Sequence, residues 1–175
     1  MQNSFLKLES LANLAIIAVA VILGFTLLSR YFAPQPSANP DSGALKPGIA
    51  LPSSNIDWSK NEKNLVLVLS TQCKYCQESS DFYRRLTERA SSVASLRTIA
   101  ILPQSLEEST KYLSEKNITV NDVLKGNPSD LLVRGTPTLI LVDKSGTALD
   151  VWVGKLPPEK EAEVLERIAG DIVRN

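Results

Sequence analysis

Cys73 and Cys76 are the only cysteines of a 175-residue chain, and they stand in the stretch Ser70-Thr71-Gln72-Cys73-Lys74-Tyr75-Cys76-Gln77-Glu78. A chain that otherwise avoids thiols places both within one helical turn. That spacing suits thiol-disulfide exchange, in which one thiolate attacks a disulfide and the other resolves the mixed disulfide so formed. Where such a pair joins a strand to a helix, the first sulfur lies at the helix N-terminus. Unpaired N–H groups and the helix dipole there favour thiolate, the reactive form. Lys74, between the two cysteines, adds positive potential that would lower the thiol pKa of Cys73, and Tyr75 would shape the surface that partners touch. The plainer readings are two buried core cysteines or half of a metal site for the pair, and an ordinary solvent-facing dipeptide for Lys74 and Tyr75.

Composition removes most other chemistry. Lys and Arg number 19, Asp and Glu 19, and histidine is absent. No field of one sign is available to attract nucleic acid. Without histidine the usual general base, the commonest zinc ligand and every Ser-His or Cys-His pair are missing. Two cysteines are too few for a disulfide scaffold or, without histidine, for an ordinary zinc site. No metal and no cofactor is expected, and the chemistry must run on thiols, carboxylates or amines.

The elements that would position the pair alternate between strand and helix. Leu65 to Leu69 is apolar throughout, as expected of a central strand covered on both faces, and the cysteines follow it directly. A helix is expected from about Cys76 to Ala90, burying Phe82, Tyr83, Leu86 and Ala90. A strand from Arg97 to Leu102 follows. Ser105 and Glu108 then form a capping box for a helix to about Lys116. A short strand is expected at Ile118 to Val120, and a brief helical turn at Asn127 to Leu132 with Pro128 at its first position. Thr138 to Val142 and Ala148 to Val153 read as a hairpin about the Lys144-Ser145-Gly146 turn. Pro157 and Pro158 open a last helix with Ala162, Leu165, Ile168, Ala169 and Ile172 as its buried stripe. The pattern predicts an α/β domain with a mixed central sheet and helices on both faces.

Ahead of this domain, a short flank at residues 1–10 precedes the uncharged run from Leu11 to Leu28. At about 1.5 Å per residue the run reaches roughly 27 Å, near the thickness of a bilayer's hydrocarbon core. Tyr31 stands where signal-peptide cleavage would want a small residue, so residues 11–32 are expected to be an uncleaved transmembrane anchor rather than a cleaved signal. Tyr31 and Phe32 would suit the aromatic belt at the membrane surface. Residues 33–47, rich in proline and serine, read as an extended tether. Residues 48–175 make one domain's worth of chain.

Val133-Arg134-Gly135-Thr136-Pro137-Thr138 supplies a second motif, whose plainer reading is an ordinary turn before a strand. Beside the cysteine pair it resembles the Gly-x-Pro-Thr loop of the thioredoxin fold. The resemblance implies a cis Pro137 facing the active site, Cys73 as the attacking and Cys76 as the resolving cysteine. It also implies that Thr136 and Pro137 form the loop on which an extended substrate segment docks. The extra helix and strand between Ser105 and Asn127, the Val142 to Gly146 turn, the Trp152-Val153-Gly154 ending and the membrane tether resemble the TlpA/ResA group of anchored thiol-disulfide oxidoreductases. That resemblance covers Gly48 to Asn175 and implies a thioredoxin-like domain with an α/β insertion. It further implies a place at the bacterial cytoplasmic membrane facing the periplasm or outer surface, and protein disulfides as substrates, often in cytochrome c maturation. A membrane electron transporter would be the donor.

Two features depart from the group. Tryptophan and proline are missing from the Gln72-Cys73-Lys74-Tyr75-Cys76 motif, and the strand before it lacks the buried acid that thioredoxin uses as proton acceptor. Glu62, Glu78 and Asp81 are the candidate substitutes, each read more simply as a solvated surface acid. A peroxiredoxin would need proline at Val66 and threonine at Ser70, and a copper carrier a histidine, so both are disfavoured. The expected activity is disulfide reduction outside the cytoplasm. The alternatives are a disulfide-forming oxidase and a tethered interaction domain without redox activity.

Overall fold

The computed structural model describes residues 45–52 and 56–170. The segment 11–32 lies outside them, and among the described residues no helix is long and apolar enough to cross a membrane. Five strands form one mixed sheet in the order β3-β2-β1-β4-β5. β1 (Lys63–Val68) is central, with β2 (Leu96–Leu102) parallel on one side and β4 (Thr138–Asp143) antiparallel on the other. β3 (Asp122–Lys125) extends the sheet in parallel beyond β2, and β5 (Ala148–Val153) closes the hairpin with β4. The run Leu65 to Leu69 is apolar at every position because successive side chains enter opposite faces. Leu65, Leu67 and Leu69 enter one buried cluster, and Val66 and Val68 the other.

Among the described residues the α-helices are α1 (Lys74–Glu78), α2 (Ser80–Ser91), α3 (Leu106–Glu115) and α4 (Pro158–Ala169). All four bury side chains in the same cluster: Cys76 from α1, Tyr83 and Leu86 from α2, Tyr112 from α3, and Val164 and Ile168 from α4. Two helices reach this face by topology. β2 lies beside β1 and β3 beyond β2, so two right-handed crossovers step in the same direction and set α2 and α3 on one side. The expectation of helices on both faces is therefore corrected. The second face is covered by Leu45 and Leu51, and by single-turn 3-10 helices at Trp58–Lys60 and Pro128–Leu131 that contribute Trp58 and Leu131.

Three local readings shift. The single helix expected from Cys76 to Ala90 is two, because Ser79 leaves helical geometry (φ −96°, ψ 7°) and the Ser80 hydroxyl donates to the Gln77 carbonyl at 2.8 Å. Serines compete for backbone groups in this way, which breaks helices. The strand expected at Ile118 to Val120 begins instead at Asp122. Asn117 turns the chain at φ 53°, Ile118 is buried against α3, and pairing starts once Asn121 Oδ1 accepts from the Thr98 amide at 2.7 Å. On α4 the buried residues are Val164 and Ile168, Ala162 is exposed, and Ile172 lies outside the described residues. The helical turn at Pro128 and the hairpin fall where expected.

Candidate active site

The Leu69 amide still bonds the Ile101 carbonyl at 3.0 Å, after which Ser70 to Gln72 leave the sheet as a loop. Cys73 ends that loop in extended conformation (φ −86°, ψ 113°) and caps α1, its Sγ accepting from the Cys76 amide at 3.1 Å. An oxygen-bearing residue usually fills this position. Here a sulfur does, and an amide donor directed at it favours the thiolate. On its other side, Sγ lies 3.4 Å from the Thr136 carbonyl oxygen, to which the thiol donates. Thr136–Pro137 is a cis peptide, Pro137 is buried, and its carbonyl accepts from the Gly154 amide at 2.8 Å. The two motifs, far apart in sequence, thus meet at one sulfur.

The cysteines differ in accessibility and in acidity. Cys73 is partly exposed and Cys76 is fully buried, and both are free thiols. Burial works against ionisation of Cys73 more than any other single influence. Contacts with the Cys76 and Thr136 side chains and the Cys76 and Tyr75 amides together outweigh it, so the thiol lies below the ordinary cysteine range. For Cys76, burial and then its hydrogen bond with Cys73 push the thiol up to about 12. One sulfur is ready to attack; the other is held protonated behind it.

Lys74 and Tyr75 face outward. The Lys74 side chain is 82% exposed, with its ammonium 3.8 Å from Glu78, which also takes Lys155 at 2.8 Å. Tyr75 is 55% exposed and leaves an aromatic ring in water two residues after the attacking cysteine. The candidate acids are surface groups: Glu62 pairs with Lys144, Glu78 with Lys155 and Asp81 with Arg84. None of the three enters the buried cluster that holds Cys76.

The sequence reading missed a brace on the cysteine loop. Gln104 Oε1 accepts from the Thr71 amide at 3.4 Å while its Nε2 donates to Ser70 Oγ at 3.1 Å. Gln77 Nε2 donates to the Thr71 carbonyl at 3.0 Å, and the Thr71 hydroxyl donates to Glu108 Oε1 at 2.7 Å. The capping box is therefore half realised. Ser105 Oγ accepts from the Glu108 amide at 3.2 Å, but the Glu108 carboxylate serves the loop instead. Only the capping-box spacing hinted that Glu108 had a polar duty; nothing local pointed to Thr71.

An accessible acidic thiol backed by a buried one, with a backbone carbonyl at the exposed sulfur, can form a mixed disulfide and resolve it internally. The thioredoxin domain of a thiol-disulfide oxidoreductase from Bacteroides vulgatus superposes with a TM-score of 0.54 at 18% identity, covering 71% of this chain and 98% of that one. A thiol:disulfide interchange protein from a Bacteroides species gives 0.52 at 19% identity, over 73% and 90% of the two chains. Similarity at this level speaks for the fold. No curated protein matches the chain by sequence. A family model described as the thioredoxin-like domain matches residues 57–169, the stretch that holds both motifs and the five strands described. The chain belongs to the thioredoxin-like domain family.

Proposed function

We propose that this chain is a thiol-disulfide oxidoreductase acting on protein disulfides outside the cytoplasm. Residues 11–32 would anchor it in the bacterial cytoplasmic membrane, and it would act as a reductant supplied by a membrane electron transporter. The observation that carries the reading is the setting of Cys73 Sγ, 3.1 Å from the Cys76 amide and 3.4 Å from the Thr136 carbonyl, with Cys76 buried behind it. In the reductive direction the Cys73 thiolate attacks a substrate disulfide and releases one substrate thiol. Cys76 then displaces the second, and the protein keeps the disulfide. Apocytochrome c is a fitting substrate class for a reductant resembling the TlpA/ResA group.

The test is trapping in cells with the full chain carrying Cys76→Ser. Mixed disulfides between Cys73 and exported proteins are expected, and a cytochrome or membrane electron transporter among them would define the pathway. A chain that traps nothing and fails to reduce insulin disulfides when reduced would overturn the reading in favour of a tethered interaction domain. One observation favours the oxidase alternative: β1 places no acid behind Cys76, while the contacts on Cys73 stabilise the reduced form.

A further inference from the structure

Cys73 on α1 and the Thr136–Pro137 loop are the two walls between which a disulfide would be attacked, and the structure fastens these walls to each other twice. The first fastening is the 3.4 Å contact in which the Cys73 thiol donates to the Thr136 carbonyl. The second lies at the other end of α1. Glu78, the last residue of that helix, accepts from Lys155 Nζ at 2.8 Å. Lys155 directly follows Gly154, whose amide donates to the Pro137 carbonyl at 2.8 Å. Between these two contacts the chain leaves β5 at Gly154, in left-handed conformation at φ +82°. Bonds and contacts thus close a ring from Cys73 through Thr136, Pro137, Gly154, Lys155 and Glu78, and along α1 back to Cys73.

α1 has five residues, about 7.5 Å of helix, and Ser79 separates it from α2. So short a helix gains little from its own hydrogen bonds, and its setting depends on what holds its ends. The first fastening goes with the proton that makes it. A Cys73 thiolate, or a Cys73 sulfur already bonded to a substrate, has no hydrogen to give to Thr136. The second fastening does not change with redox state. The hydrogen bond from Lys155, ahead of every other influence, holds the Glu78 carboxyl below the usual carboxylate range, so the pair is charged near neutral pH. Lys74 stands farther off, at 3.8 Å, and belongs to α1 itself, so it ties the helix to nothing else through Glu78.

Resting on the exchange activity proposed above, we propose that Glu78 and Lys155 are positioning residues: their ion pair holds α1 against the Thr136–Pro137 loop while an extended segment of a protein disulfide lies between Cys73 and that loop. Both act through the walls they join. A protein disulfide touches both walls and depends on their spacing, whereas a small disulfide needs only the Cys73 sulfur. The side chains are 36% and 47% exposed, so the expected effect is that of a surface ion pair.

The test uses the full-length protein in detergent, with excess dithiothreitol as reductant and two substrates, insulin and bis(2-hydroxyethyl) disulfide. Glu78→Gln and Lys155→Met should each raise KM for insulin about 2- to 5-fold at unchanged kcat. Both should leave the rate with bis(2-hydroxyethyl) disulfide as in the parent. The double variant should be no worse than either single one, since both remove the same contact. Exchanging the charges, Glu78→Lys with Lys155→Glu, should recover most of the parent's KM, which direct contact of either residue with insulin would not allow. A KM for insulin unchanged in both single variants, equal slowing with both substrates, additive losses in the double variant, or no recovery on charge exchange would overturn the proposal while leaving exchange intact. So would a parent that reduces only the small disulfide. A parent that reduces neither would overturn the exchange activity itself and this role with it.

Discussion

Thr71, in the loop that carries Cys73, donates a 2.7 Å hydrogen bond to the Glu108 carboxylate on α3. The helix between β2 and β3 is thereby tied to the reactive thiol. Because the contact is exposed, its net worth is about 0.5–1 kcal/mol. Glu108→Ala should change the alkylation rate of Cys73 by about 2- to 5-fold with little change in stability. Glu108→Gln, which keeps an acceptor, should restore most of it. Iodoacetamide kinetics at constant pH measure both, and an unchanged rate in Glu108→Ala would show that the loop holds without this brace.

Lys74 and Tyr75 separate into different roles once their exposure is known. The Lys74 ammonium is turned to Glu78, so Lys74→Met should alter Cys73 alkylation by less than about 2-fold, as solvent-exposed charges do. Tyr75→Ala should raise KM for a protein disulfide, since it removes an exposed ring two residues from the attacking cysteine, and leave exchange with glutathione disulfide unchanged. A large effect of Lys74→Met on thiol acidity would restore the tuning role that its position in the motif suggested.

The two thiols give the reduced protein a pH dependence of opposite signs. Cys73 is lowered in the folded state, so its contribution is fully present above the unfolded value of about 8.5 and is lost as pH falls through the folded one. Cys76 is raised to about 12, so its contribution is fully present below the unfolded value and is lost as pH rises toward 12. The reduced protein should lose urea resistance as pH rises above about 8.5, and Cys76→Ser should remove the loss between about pH 8.5 and 10, above which the raised phenols of the buried Tyr83 and Tyr112 add their own. Equal alkaline loss in the variant would mean that Cys76 ionises as easily folded as unfolded.

Much of this site was legible because its signals are short-range. The apolar run Leu65 to Leu69 marked β1, the paired cysteines marked the start of α1, and Thr136-Pro137 marked the loop that meets them. What escaped depends on contacts made across the fold. Ile118 and Val120 are apolar because they pack against the α3 cluster, and composition cannot tell that from a strand. The break at Ser79 turns on a hydroxyl reaching the Gln77 carbonyl, and the brace on Thr71 on a side chain from a different helix.

Gly146 separates stability from chemistry. It sits at φ +86°, and a Cβ there would lie 2.8 Å from Trp58 Cδ1, on the sheet face opposite the cysteines. Gly146→Ala combines a left-handed backbone with displacement of a buried indole, a cost of about 2–4 kcal/mol. Urea unfolding should show the loss, while Cys73 alkylation in the folded protein stays as in the parent. A changed alkylation rate would mean that the two faces are coupled through the sheet.

The direction of electron flow is set by how strongly the fold favours each state of the pair. Cys73 lies below the ordinary cysteine range, which stabilises the dithiol, and no acid behind Cys76 assists its ionisation. Both features make the disulfide easier to reduce than in thioredoxin, whose potential is about −270 mV. Cys76 works in the other direction: pushed up to about 12, it withholds a second thiolate and limits the gain of the reduced form. Between β2 and the Thr136-Pro137 loop stand the helix α3, the short strand β3 and the 3-10 turn at Pro128–Leu131, an insertion that supports the proposed reductant reading. A potential between about −270 and −180 mV is therefore expected for the full-length protein equilibrated with glutathione buffers. A value near −120 mV, that of a strong oxidant, would reverse the assignment and make this chain a donor of disulfides.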